Sequence, residues 1–282
     1  MTTMTKRFFG GRAAALALVT LGLHSIGSTA PARAQGGDGS MRGFLLVGDY
    51  RLVVDGKEVT KAEVYKSSRA ASVLLISPDW ESPVLLTPAR GAVDAVNLLK
   101  VSRINAEAID LLPGAVFRSL GTYRMAEEDI VFTAFGKSSR LEPRPWLLKL
   151  QTGAKMLEHD ASYQRRANAY PVDAAVLNDL KKQTRSARVL VFFGSWCPHC
   201  QMNLPKILKL EKELAGAGNV KFDYYGLPKG TEFSTDAEVQ RYKIDSVPTG
   251  VVLVDGKEIG RLDGDGWVKI ETTLRDLLKK PA

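Results

Sequence analysis

Five consecutive apolar residues, Val189-Leu190-Val191-Phe192-Phe193, end at Gly194, and Leu204, Ile207, Leu208 and Leu214 follow at helical spacing. An unbroken apolar run of this length reads as a strand covered on both faces, and the helix after it must pack back onto one of them. The remaining pattern extends that constraint. Val220 to Tyr225 reads as a second strand, and Thr235 with Glu238 has the spacing of a capping box that opens a short helix. Val251 to Val254 and Glu258 to Leu262 flank Asp255-Gly256 as a hairpin, and Ile270, Leu274, Leu277 and Leu278 define a last amphipathic helix. The order βαβαββα predicts an α/β domain over residues 173–282, with a mixed central sheet and helices on both faces.

Residues 42–145 have a different texture. Short β-rich runs alternate with turn residues: Phe44 to Val47, Arg51 to Val54, Ser72 to Ile76, Val84 to Leu86, Ala115 to Leu120 and Ile130 to Phe135. Asp55-Gly56 between Val54 and Val59 is a hairpin signal. This stretch reads as a β-rich domain, and it holds no His and no Cys. Its scattered acids and arginines read as a solvated surface. Between the halves, residues 146–172 read as a connector with a polar helix from Gly153 to Asn168, and Asp173 caps a further helix through Leu180. The shared Asp-Gly-Lys-Glu at 55–58 and 255–258 reads as two similar hairpin turns rather than a repeat.

The N-terminus has the parts of a cleaved secretory signal, residues 1–34: basic Lys6, Arg7 and Arg12, an apolar stretch from Ala13 to about Ile26, and Ala32-Arg33-Ala34. Gly22 and His24 interrupt the apolar stretch, which is too short to span a bilayer. A Gly-rich linker, residues 35–41, follows. All four charges in 1–34 are positive, so removing them takes the net charge from +8 to +4. That surplus, with no basic cluster interleaved with aromatics, argues against a nucleic-acid partner. The expected location is the periplasm or another extracytoplasmic compartment, where the mature chain is soluble and disulfides persist.

The only two cysteines of the chain lie in Trp196-Cys197-Pro198-His199-Cys200, where the apolar strand gives way to its helix. A cysteine at a helix start faces unpaired backbone N–H groups and the positive end of the helix dipole, both of which favour a thiolate. Cys197 is therefore the candidate nucleophile. Cys200, one turn further on the same face, is the resolving thiol. Pro198 fits the first turn of the helix without losing a needed hydrogen bond. His199 adds a donor and a charge beside the Cys197 sulfur, so replacing it with an aliphatic residue is expected to raise the Cys197 pKa. A zinc site needs four ligands, and beyond the signal only His159 and His199 accompany the cysteines, so no metal is expected. A purely structural disulfide between residues three apart would constrain the unfolded chain very little. His159 reads as an exposed residue of the connector helix, and Trp80, Trp146 and Trp267 as packing residues.

Residues 173–282 resemble the thioredoxin family. The resemblance rests on Trp-Cys-x-x-Cys after an apolar strand, Pro205 within the following helix, Ser246-Val247-Pro248-Thr249 before the hairpin, and Asp255-Gly256-Lys257 with Gly264 after it. It implies a cis Pro248 packed against the cysteine pair, the Val247 backbone pairing with a substrate peptide, Trp196 at the rim of the site, and a loop at Gly264 completing the groove. Pro198-His199 and Val247 resemble the disulfide-introducing oxidases of the DsbA type. However, only 47 residues separate Cys200 from Pro248, too few for the helical insertion of those oxidases. Val191 stands where thioredoxins commonly place a buried Asp.

These readings converge on an exported thiol-disulfide oxidoreductase that uses Cys197 and Cys200, needs no cofactor, acts on cysteine-containing exported proteins, and is reset by a membrane redox partner. Pro198-His199 leans toward an oxidase or isomerase. The compact scaffold also resembles periplasmic reductants that serve cytochrome maturation. A thioredoxin-fold binding module with little redox role is the alternative of another class.

Overall fold

The computed structural model describes residues 41–217 and 219–280. The expected signal segment, residues 1–34, and residues 35–40 of the expected linker lie outside the described residues. No helix among the described residues is long and apolar enough to cross a membrane.

The β-rich half is built from β1 (Phe44–Val47), β2 (Tyr50–Val54), β3 (Lys57–Glu58), β4 (Glu63–Ser67), β5 (Ser72–Ile76), β6 (Val84–Thr87) and β7 (Ala92–Val96). It continues through β8 (Val101–Arg103), β9 (Ala108–Leu111), β10 (Val116–Thr122), β11 (Arg124–Ala126), β12 (Asp129–Ala134) and β13 (Lys137–Pro143). One antiparallel sheet has the order β10-β7-β6-β5-β4-β1-β9-β8, and a smaller one β11-β12-β13-β2-β3. Strand alternation divides the buried residues of the large sheet between two cores. Leu75, Val84, Leu86 and Val93 pack with Leu52, Phe132 and Leu141 of the small sheet. Their neighbours Leu74, Leu85 and Val96 share a second core with Phe44, Leu46, Ile109 and Leu111, so the large sheet curls around its own face. Runs such as Val84-Leu85-Leu86 are continuous because both faces are covered. Asp55 and Gly56 both have positive φ, 47° and 78°, as a two-residue hairpin turn demands, and Asp255 and Gly256 repeat this at 51° and 78°.

The C-terminal half begins earlier than its helical pattern suggests. The expected connector helix is instead a strand and two helices: β14 (Lys149–Gln151), α1 (Gly153–His159) and α2 (Ala161–Ala169). Asp160 splits the helix by accepting the Ser162 N–H at 2.8 Å and so acting as the N-cap of α2. There follow α3 (Ala174–Lys181), capped by Asp173 as expected, β15 (Ala187–Phe193), α4 (Pro198–Leu214), β16 (Val220–Gly226), α5 (Thr231–Thr235) and α6 (Ala237–Tyr242). The chain ends through β17 (Thr249–Val254), β18 (Lys257–Leu262) and α7 (Ile270–Leu278). The expected Thr235 cap is corrected: Thr235 closes α5, and Asp236 caps α6 by accepting the N–H groups of Glu238 and Val239.

The sheet of this half has the order β14-β16-β15-β17-β18, with β15 parallel to β16 and every other pair antiparallel. Val189, Val191 and Phe193 of β15 face a core shared with α3, α4 and α7. Leu190 and Phe192 face the other side, toward Val239 and Ile244 around α6. Helices thus cover both faces, as the unbroken apolar run requires.

Two side-chain groups tie α2 to the β-rich half and correct the reading of its charges as merely solvated. Arg166 is buried and donates to the carbonyl oxygens of Leu46 in β1 and Gln201 in α4, each at 3.0 Å, and pairs with Glu107. Arg103 and Arg165 both reach Glu63 and the hydroxyl of the fully buried Tyr65. Burial alone would raise the Glu63 carboxyl, but hydrogen bonds from Arg165, Tyr65 and Arg103 hold it below its ordinary value.

Candidate active site

The turn between β15 and α4 is tied down atom by atom. Gly194 is required there, because a Cβ would collide with the Trp196 ring. The Cys197 N–H donates to the Gly194 carbonyl at 2.9 Å, the Gln201 side chain donates to the Ser195 carbonyl at 3.0 Å, and the Ser195 hydroxyl accepts the Leu147 N–H at 3.1 Å. Cys197 is the N-cap residue of α4, and Pro198 takes the first helical position.

Both cysteines are free thiols. Cys197 keeps 7% of its surface exposed and Cys200 none. The pair is strongly asymmetric. Cys197 is lowered to about 6, first by the hydrogen bond from the Cys200 thiol, against burial, and then by the backbone N–H groups of Cys200 and His199. The charge of exposed His199 comes last among these causes, an addition to the backbone donors. Cys200 is pushed well up, by burial and by its role as donor to Cys197. The Gly194 N–H donates to the Cys200 sulfur at 3.4 Å.

Val247-Pro248 is a cis peptide bond, and the Cys197 thiol donates to the Val247 carbonyl at 3.7 Å. The structure therefore brings Cys197, Cys200 and the Val247-Pro248 turn together. Trp196 lies beside them, half-buried, with its indole N–H donating to the Leu227 carbonyl at 2.9 Å. Gly264 belongs to the short turn whose far end reaches the Val247-Pro248 segment. It opens the turn Gly264–Trp267, a Cβ on it would meet nothing within 4 Å, and the residue of that turn that reaches the site is Trp267.

Trp267 is not only a packing residue. Its indole N–H donates to the Pro248 carbonyl at 3.0 Å, while its own carbonyl accepts the Lys206 ammonium at 2.8 Å, linking the proline turn to α4. No local sequence signal separates this tryptophan from a core residue. His159 is also corrected. It is half-buried beside Arg144, and burial followed by the Arg144 charge lowers it to about 4, so it is neutral near pH 7. Val191 is fully buried in the core that holds the cysteines, and Tyr163 of α2 joins it there. Burial, followed by the charge of Asp160, pushes the Tyr163 phenol well above its ordinary value. On β16, Asp223 pairs with Arg188, the Tyr224 hydroxyl donates to Glu211, and Tyr225 packs on Phe192. Among the described residues no group of three or more His, Cys, Asp or Glu side chains is arranged to hold a metal ion.

A Cys-x-x-Cys pair at the start of a helix, with a low-pKa outer thiol, a buried inner one and a cis-proline turn against the outer sulfur, defines a thioredoxin-like redox site. Residues 172–279 match the family model described as Thioredoxin. Thioredoxin from Chlamydia trachomatis is 32% identical over 90 residues, covering 30% of this chain and 80% of its own length. Thioredoxin from Chlamydia caviae is 32% identical over 75 residues, covering 26% of this chain and 64% of its own, and Homo sapiens glutaredoxin-3 is 32% identical over 85 residues, covering 30% and 23%. The chain thus spans less than two thirds of the length of two of these relatives. It belongs to the thioredoxin family.

Proposed function

We propose that the protein is an exported thiol-disulfide oxidoreductase that introduces or rearranges disulfides in cysteine-containing exported proteins. The observation that carries this reading is the asymmetry of the pair. An outer thiol near 6 beside a buried inner thiol pushed upward gives one sulfur that is a thiolate at neutral pH and one that stays protonated. In the oxidising direction a substrate thiolate attacks the Cys197 sulfur, the Cys197–Cys200 bond breaks, and Cys200 leaves and takes up a proton. A second substrate thiolate then attacks the substrate sulfur of the mixed disulfide and expels Cys197 as a thiolate. The substrate gains a disulfide, and the pair gains two electrons. Stabilising that thiolate leaving group makes the disulfide the stronger oxidant, which favours the oxidase or isomerase direction.

Export is supported by the basic-apolar-small pattern of residues 1–34 and places the pair among substrates that need such chemistry. A membrane redox partner would then reset the disulfide. Two measurements test the reading. Cys200→Ala is expected to accumulate covalent mixed disulfides with exported proteins through Cys197; their absence refutes exchange at this site. Equilibration against glutathione is expected to place the potential nearer about −120 mV than about −270 mV, the oxidising and reducing ends for such folds. A value at the reducing end refutes the direction but not the chemistry.

A further inference from the structure

Beside the cysteine turn the two halves of the molecule enclose a cleft of about 300 Å³. One wall comes from the active-site loop itself, through Ser195 and Trp196, with Lys229 close by. The other comes from the β-rich half and the segment after it, through Tyr50, Arg144 and Trp146. The position of this second wall is fixed by the fold. Arg144 donates to the Tyr50 carbonyl and pairs with Glu58, and its backbone N–H donates to the Asp49 carbonyl. Close packing of the β1–β2 turn on α2 is built in too, since a Cβ on Gly48 would collide with the Asp160 carboxylate.

Two features of the cleft point to its occupant. The first is continuity: Ser195 and Trp196, which line the cleft, directly precede Cys197, so the cleft adjoins the residue to which a substrate cysteine would be bonded. The second is its aromatic lining. Trp146 leaves 47% of its surface exposed, and among the described residues its indole has no hydrogen bond or ring contact. Across the cleft, Trp196 offers a half-buried ring with the Lys229 ammonium 5.8 Å from its centre. Asp49, Glu128 and Arg144 set charges at its margin, balanced by Lys229, whereas His159, also in the lining, is neutral near pH 7. The volume is at the small end for binding pockets, right for one large side chain rather than a folded surface.

We infer that this cleft is a specificity subsite that takes an aromatic or large aliphatic side chain flanking the reactive cysteine of a substrate polypeptide, and that the β-rich half exists in part to supply its second wall. The inference rests on the redox reading of the Cys197–Cys200 site. During exchange, the flanking side chain lies between Trp146 and Trp196 while the substrate sulfur is bonded to Cys197. Burial of that side chain against two indoles lowers the energy of the mixed disulfide and of the transition states on either side of it.

The test compares short reduced Gly/Ser peptides that each carry one central cysteine. One set carries Phe or Leu at the positions next to the cysteine, and the other does not. Oxidised full-length protein couples two such peptides, its Cys197–Cys200 disulfide becoming two thiols as the two peptide thiols become a peptide disulfide. The apolar-flanked set is expected to react roughly tenfold faster, the discrimination that one buried apolar group gives. Trp146→Ala is expected to bring the two sets within about twofold, and Trp146→Phe to retain most of the preference. Asp49→Trp, a change at an exposed turn residue that fills the cleft from the wall of the β-rich half, is expected to abolish the preference as well. Equal rates for both peptide sets in the unaltered protein overturn the subsite, as does a preference that survives both Trp146→Ala and Asp49→Trp. Absence of exchange with every peptide instead refutes the redox reading, and the subsite with it.

Discussion

The two halves of this molecule use the same material, apolar strands joined by tight turns, to different ends. In the C-terminal half, β15 runs into the start of α4, and its last residues deliver Cys197 to a row of unpaired N–H groups. In the β-rich half the strands turn back on themselves, as at Asp55-Gly56, and their side chains fill two cores. A strand followed by a helix creates a chemically special point, whereas a strand followed by a hairpin mostly creates surface. The difference explains why one half carries reactive groups and the other supplies walls and ties.

The largest expected effect tests whether the β-rich half is only a support. Phe44→Ala empties a fully buried position in its second core and should cost about 3–5 kcal/mol of stability, measured by chemical denaturation. The Cys197 titration should stay in place, and a large shift would mean that the core of one half sets the chemistry of the other. Arg166→Met cuts the tie between β1 and α4. Leaving the Leu46 and Gln201 carbonyls unpaired should cost about 1–3 kcal/mol, and fluorescence and circular dichroism should then report unfolding transitions that no longer coincide. Coincident transitions would show that the halves are joined mainly elsewhere.

The third prediction concerns pH and belongs to the C-terminal half alone. Because Cys197 in the folded, reduced protein lies near 6, below its ordinary 9.0, its thiolate contributes stability that is fully present above the ordinary value and is lost as pH falls through about 6. The stability difference between the reduced protein and Cys197→Ser should therefore shrink across that window. A constant difference would contradict the lowered pKa. The smallest effect expected is that of His199→Leu, which leaves the backbone donors in place and should raise the Cys197 midpoint by less than about 1 unit in a thiolate absorbance titration. A larger rise would make the imidazole a principal cause of the lowered Cys197 value rather than the least of those named.

What the sequence disclosed follows the range of the interactions involved. Trp196, Cys197, Pro198, His199 and Cys200 are contiguous, and their position after an apolar strand dictates their helix-start geometry, so the cysteine pair was legible. Val247 and Pro248 were legible through family resemblance. Trp267, by contrast, reaches the site through one long-range hydrogen bond to the Pro248 carbonyl, and nothing around it in the chain announces that contact. Arg166 and the Glu63–Tyr65–Arg103–Arg165 cluster looked like ordinary surface charges because their burial comes from α2 meeting a sheet formed about 100 residues earlier. The split between α1 and α2 and the choice of Asp236 over Thr235 both turn on which of several nearby polar side chains captures a helix terminus. That competition is settled by placement rather than composition. β14 was missed because it is three residues long, and Leu150, its only apolar side chain, is 63% exposed.

That short strand limits how the molecule can be divided. A fragment starting at residue 172, where the family match begins, would leave out Lys149–Gln151 and strip the cover from one side of β16. The bared N–H and C=O groups would offer an open template for pairing with other copies. A fragment starting before Lys149 keeps the cover and should stay monodisperse at concentrations where the shorter one self-associates.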